Sequence, residues 1–115
     1  HQMTHRNTPK AMERRIARVL GGKRIPLSGG LSFMPGDVIS DKFLVECKLR
    51  GSSGKKHISI EKEWLKKIEK EAQALAKFPL LVFKYKNDKS DYVILNLKDF
   101  IKLTTTQNKE GRKNG

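Results

Sequence analysis

Pro35-Gly36-Asp37-Val38-Ile39-Ser40-Asp41-Lys42-Phe43-Leu44-Val45-Glu46-Cys47-Lys48 is the stretch whose reading decides the fold. It begins with a turn and a carboxylate, then enters a run with the alternation of a β-strand. Side chains in a strand point to opposite faces in turn. Phe43, Val45, Cys47 and Leu49 therefore share one face, and Leu44, Glu46 and Lys48 the other. Glu46 and Lys48 leave the same face roughly 6–7 Å apart. Burying such a pair without partners costs several kcal/mol, so the pair reads as part of a site. A surface salt bridge between them is the ordinary alternative.

Working outward, Asp37 to Ser40 and Phe43 to Leu49 form two strands joined by a tight Asp41-Lys42 turn, a β-hairpin. Asp37 stands nine residues before Glu46, so the hairpin lets the two carboxylates approach. With no arginine between them they repel unless a cation joins them. Hard cations such as Mg²⁺ take one or two carboxylates together with phosphate and water. Lys48 would then stand beside the ion, placed to stabilise charge developing on a phosphoryl group. Cys47, on the other face between Val45 and Leu49, reads as a small buried hydrophobe rather than a nucleophile.

Upstream, Thr8 caps a helix that begins at Pro9 or Lys10, with proline suited to the first turn. Met12, Ile16, Val19 and Leu20 form its apolar stripe, and Gly21-Gly22 ends it. Glu13 is the only acid among the first 36 residues. Taken alone, it is a solvated glutamate paired with a neighbouring arginine. Lys23-Arg24-Ile25-Pro26-Leu27-Ser28-Gly29-Gly30 combines two cations, a hydroxyl and two glycines, which suits either a phosphate-binding loop or a plain connector. It lacks the G-x-x-x-x-G-K-[ST] order of a nucleotide-triphosphatase loop.

Downstream, Arg50 to His57 is a basic Gly/Ser loop. Ser59 is placed to cap a helix from Ile60 to Lys77 whose stripe is Trp64, Leu65, Ile68, Ala72, Leu75 and Ala76. Trp64 has the position of a core residue. Leu80 to Lys86 and Tyr92 to Asn96 are strands around an Asn87–Ser90 turn. The helical crossover makes the strands carrying Glu46 and Phe83 parallel. A short helix, Lys98 to Leu103, closes the domain.

The chain has 115 residues, enough for one core. Residues 1–9 read as a basic arm, 10–103 as one domain, and 104–115 as a polar, disordered tail. Twenty-five Lys and Arg face 12 Asp and Glu, a net charge of +13 that points to a polyanion, most simply nucleic acid. Arg6, Lys10, Arg14, Lys23, Arg24, Arg50, Lys55 and Lys56 are the candidate phosphate contacts. No apolar run has the roughly 20 residues of a membrane span, and no secretory segment is visible. A single cysteine allows no internal disulfide and no Cys-rich zinc site. The expected compartment is a reducing cytoplasm, including a nucleoid or viral replication site within it.

The order Glu13, Ser28-Gly29, Gly36-Asp37, Glu46-Cys47-Lys48 resembles the PD-(D/E)xK nuclease superfamily, and within it the small Holliday junction resolvases of archaea and phages. The resemblance spans roughly Lys10 to Leu49. It implies an α/β, restriction-endonuclease-like core with a mixed sheet of about four strands in the order α-β-β-α-β-β-α. It implies Asp37 and Glu46 as metal ligands with the Cys47 backbone carbonyl, Lys48 as the catalytic amine, and Glu13 completing the acidic set. Ser28 would support the site or contact phosphate, and Mg²⁺, with Mn²⁺ as substitute, would be the cofactor. A homodimer cutting branched or four-way-junction DNA in recombination and repair is the implied activity. One departure is Gly36, where the superfamily's name has proline before the Asp. A nicking or flap nuclease of the same superfamily, a non-catalytic nucleic-acid-binding module, and an RNA substrate remain open alternatives.

Overall fold

The computed structural model describes residues 8–26, 36–51 and 56–114, with side chains described as far as Thr105. Arg6, Ser28 with its neighbouring glycines, and Lys55 lie outside the described residues. Helix α1 spans Pro9–Leu20, strand β1 Lys23–Arg24, β2 Val38–Ile39 and β3 Phe43–Arg50. Helix α2 follows at Lys62–Ala74, then β4 Phe78–Tyr85, β5 Tyr92–Ile94 and helix α3 Leu97–Asn114.

One mixed sheet orders the strands β1-β2-β3-β4-β5. Only β3 and β4 run parallel, in register from Phe43 opposite Phe78 to Arg50 opposite Tyr85, joined by α2 as the crossover. The sheet has five strands where about four were expected. The addition is β1, read from sequence as loop. Two residues carry no periodicity, and Lys23-Arg24 becomes a strand only by pairing with Ile39 and Val38.

Helix α1 covers one face of the sheet. Met12, Ile16 and Ala17 pack on Val38, Val45, Leu49, Leu80 and Val82. Helix α2 covers the other, with Ile68 and Ala72 on Leu44 and Ile25. Leu44 and Val45, consecutive in β3, are both fully buried because each face has its own helix. Full burial of a side chain of this size contributes about 1.5–3 kcal/mol. The alternation read in β3 is thus correct, and it separates two cores.

The Thr8 hydroxyl accepts from the Ala11 N–H at 3.1 Å, the expected cap of α1. Val19, expected in the stripe, is exposed. The buried stripe runs through Met12, Ile16 and Ala17 with Leu20 partly buried beside them, which leaves Val19 at its margin. Helix α2 is shorter than expected at both ends. Its N-cap is Glu61, without a side-chain cap bond, rather than Ser59. It stops at Ala74, and Leu75 is exposed. β4 begins at once, with the Phe78 N–H donating to Lys42 at 2.8 Å and the Lys77 ammonium to the Ser40 and Asp41 carbonyls, each at 2.8 Å. Those bonds leave no room for another helical turn.

Helix α3 continues to Asn114, where a helix ending at Leu103 and a disordered tail were expected. The Thr104 hydroxyl donates back to Phe100 or Ile101, keeping a polar side chain inside the helix. Once nucleated, each further residue adds one bond, so polar composition alone does not end a helix.

Gly22 lies where α1 turns into β1. A Cβ there would collide with the Ile39 carbonyl oxygen and stand 2.9 Å from Ser40 Cα, both backbone atoms of the neighbouring hairpin. Gly22→Ala is therefore expected to lower stability by about 1–3 kcal/mol, measured by urea unfolding. Gly21→Ala, at a position with open space around it, separates this collision from the loss of a helix-capping residue.

Candidate active site

The β2–β3 hairpin builds the centre of the site through its hydrogen bonds. The Asp37 N–H donates to the Val45 carbonyl at 2.7 Å, and the Ser40 N–H to that of Phe43 at 2.9 Å. Strand pairing between β2 and β3 involves only Val38 with Val45 and Ile39 with Leu44. The next β3 amide on this edge, that of Cys47, is taken by a side chain: it donates to Asp37 Oδ2 at 2.9 Å. A residue's N–H and C=O leave a strand on the same edge, so the Cys47 carbonyl leaves β3 on the edge from which its amide reaches Asp37.

On the face turned toward α2, Glu46 and Lys48 form an ion pair, Nζ to Oε2 3.3 Å. Both side chains are more than four-fifths buried, at 16% and 17% exposure, unlike the surface bridge that such a spacing usually makes. Burial raises the Asp37 carboxyl above its ordinary value of 3.8, the Cys47 amide bond opposes this, and the Glu13 charge adds to it. Burial raises Glu46 as well, with the Asp37 charge next and Lys48 opposing. The Asp37 charge thus makes Glu46 harder to ionise, and the Glu13 charge does the same to Asp37. The Cys47 thiol is pushed up strongly, first by burial and then by Asp37, Glu13 and Glu46. A thiol held protonated in this way is a poor nucleophile.

Glu13 reaches this field from α1, yet its partner is Arg24, whose Nε lies 3.1 Å from Oε1. The arginine pairing weighed for it from sequence is present, but Glu13 is largely buried rather than solvated, and Arg24 of the expected phosphate contacts is engaged by it. Among the described residues no three His, Cys, Asp or Glu side chains gather as a ready metal cage. Asp37 and Glu46, with Oδ1 and Oε1 free of hydrogen-bond donors among the described residues, and the Cys47 carbonyl are the oxygens that could hold an ion here. Hard oxygens of this kind would suit Mg²⁺ or Mn²⁺, which complete their shells with water and phosphate.

Three α2 residues, Trp64, Lys67 and Glu71, join the site without having been expected there from sequence. Trp64, expected in the core, is partly exposed and lies beneath two cations. Lys48 Nζ is 4.6 Å from its ring centroid and the Arg50 guanidinium 5.1 Å. Arg50, His57 and Trp64 also line an open cleft past the end of β3. Glu71 accepts the Gly36 N–H at 3.1 Å through Oε1 and takes Lys67 at 3.1 Å through Oε2. The signal available beforehand was the spacing of three and four in Trp64, Lys67 and Glu71, one stripe of a helix. Gly36 itself has φ +63°, a left-handed conformation closed to proline, and it donates a bond that proline lacks. The departure from the superfamily's proline is thus built into this turn. Of the remaining candidate contacts, Lys10, Arg14, Lys23 and Lys56 are exposed.

Comparison with protein families finds a match to the family described as "Phage putative PDDEXK endonuclease" over residues 6–114. The chain belongs to this family. Neither the curated proteins nor the solved structures compared with it contain a match. The PDDEXK family is one of nucleases, and the mixed sheet with helices on both faces is compatible with its restriction-endonuclease-like fold. No helix among the described residues is long and apolar enough to cross a membrane.

Because folding raises the pKa of Asp37, its ionised form opposes folding. That cost is absent below the ordinary carboxylate value of 3.8 and grows as pH rises through the raised one. Asn at position 37 keeps an acceptor for the Cys47 amide without the charge. In metal-free buffer Asp37→Asn is therefore expected to melt above the wild type at pH 7, and the gap should close on acidification toward pH ~4. Thermal unfolding followed by circular dichroism across pH checks this.

Proposed function

We propose that this protein is a divalent-metal-dependent DNA endonuclease that hydrolyses phosphodiesters in branched DNA, with a four-way junction as its substrate. The observation that carries the nuclease reading is Glu46 largely buried within reach of the Asp37 charge with Lys48 in ion-pair contact, in a basic chain of a PDDEXK family. The junction rests on the sequence resemblance to small resolvases. Paired cuts across a junction need two copies of the site, so the active form is a homodimer.

In this reading Asp37, Glu46 and the Cys47 carbonyl hold a Mg²⁺ ion, for which Mn²⁺ substitutes. The ion supplies Lewis-acid stabilisation of charge on the phosphoryl group. Lys48, steadied between Glu46 and the Trp64 ring, presents its ammonium to the same developing charge. Asp37 stays oriented throughout because the Cys47 amide fixes one of its oxygens. The exposed cations Lys10, Arg14, Lys23 and Lys56 supply salt-dependent affinity for the DNA backbone.

Wild-type protein with Mg²⁺ or Mn²⁺ is expected to cut labelled four-way junctions faster than flap, duplex or single-stranded DNA, and chelator should stop it. Asp37→Asn and Lys48→Ala should bind the junction yet cut about 10²–10³-fold more slowly. Binding without cutting in either metal would overturn the enzyme reading in favour of a binding module. Preference for flaps or duplex would overturn the junction alone.

Metal binding has its own readout. Mg²⁺ is expected to raise the melting temperature of the wild type and leave that of the Asp37→Asn/Glu46→Gln double variant unchanged. An equal rise in both would remove these carboxylates as ligands.

A further inference from the structure

The stripe of α2 that borders the site carries Trp64, Lys67 and Glu71. Its two ends are fixed to the catalytic hairpin: Trp64 lies under Lys48, and Glu71 accepts the amide of the residue just before Asp37. Lys67 lies between them on the same stripe, its ammonium 3.1 Å from Glu71 Oε2. Glu71 thus bridges, one oxygen on the Asp37 turn and the other on Lys67. An ordinary pair on a helix surface has a carboxylate free to wander, whereas here it is pinned to the turn and holds the ammonium toward the site. The charges of Glu46 and Asp37 act on Lys67, which agrees with this placement.

The two lysines differ in depth. Lys48 is 17% exposed and Lys67 60% exposed. The first is packed under the site and the second stands at its rim, free to meet a ligand from solvent. A DNA strand approaching two carboxylates is repelled by them, and an exposed cation at the rim offsets that repulsion where the strand must enter.

We propose that Lys67 is a second phosphate-binding cation of this site, exchanging Glu71 for a non-bridging oxygen of the bound strand. The proposal rests on the nuclease reading for its place in catalysis, but phosphate contact is testable apart from cleavage. Lys66 provides the control, because it removes the same charge from the same helix while pairing with Glu69 instead.

The first measurement is junction binding across a salt series, made in the Asp37→Asn background so that nothing is cut. Adding Lys67→Ala is expected to reduce the slope of log affinity against log salt by about one. Lys66→Ala should change it much less. The second is cleavage by otherwise wild-type protein. Lys67→Ala should lower kcat/KM by about 10- to 100-fold, mainly through KM, as expected for a lost charge-assisted hydrogen bond. Lys67→Arg should restore most of it, with melting temperatures unchanged.

An unchanged salt slope, or a slope that Lys66→Ala changes equally, overturns the proposal. So does a Lys67→Ala loss that follows its melting temperature and that arginine does not rescue. If the wild type binds junctions but never cuts, the nuclease reading fails while the slope still decides Lys67. If it binds no DNA, both fail.

Discussion

The bond from the Cys47 amide to the Asp37 carboxylate is the contact on which the site depends. Strand β2 contributes two residues, too few to continue its ladder along β3. The β3 amide left over is satisfied by a side chain, and that side chain is thereby locked into one orientation. A buried amide without a partner costs about 1–3 kcal/mol, so the bond resists rotation of the carboxylate. The same geometry that completes the hairpin also sets the Asp37 charge where it disfavours ionisation of Glu46.

Holding two acids together is a cost the fold must offset elsewhere. It does so with two packed faces: α1 over Val38, Val45 and Leu49, and α2 over Leu44. It also surrounds the acids with measured amounts of positive charge. Lys48 bonds Glu46 directly, Lys67 acts on both acids from α2, and Arg24 holds Glu13 back on the α1 side. Stability is given up at the centre of the site and regained in the cores, a pattern found where function opposes folding.

Turn geometry shows how sequence departures can be structural rather than degenerate. Gly36 adopts φ +63° and donates to Glu71. Proline at this position would lose both the conformation and the bond. Helix α2 therefore reads the turn before Asp37 as well as supporting the strand after it. That double contact makes α2 a wall of the site rather than only a crossover between parallel strands.

Much of this was legible in the residues. The period of two in Phe43 to Leu49 placed Glu46 and Lys48 on one face, and the hairpin brought Asp37 to them. Thr8 as cap and Cys47 packed on the face opposite Glu46 followed from equally local rules. Those features depend on neighbours a few residues apart, and such neighbours constrain one another through backbone geometry alone. What required the folded chain was every relation between distant elements. Lys23-Arg24 became a strand only beside Val38-Ile39, Trp64 became a cation platform only beneath β3, and Glu71 found Gly36 only once α2 had docked. A helical stripe fixes which side chains travel together, but the partner they meet is chosen by packing across the sheet, and no periodicity within one segment encodes that choice.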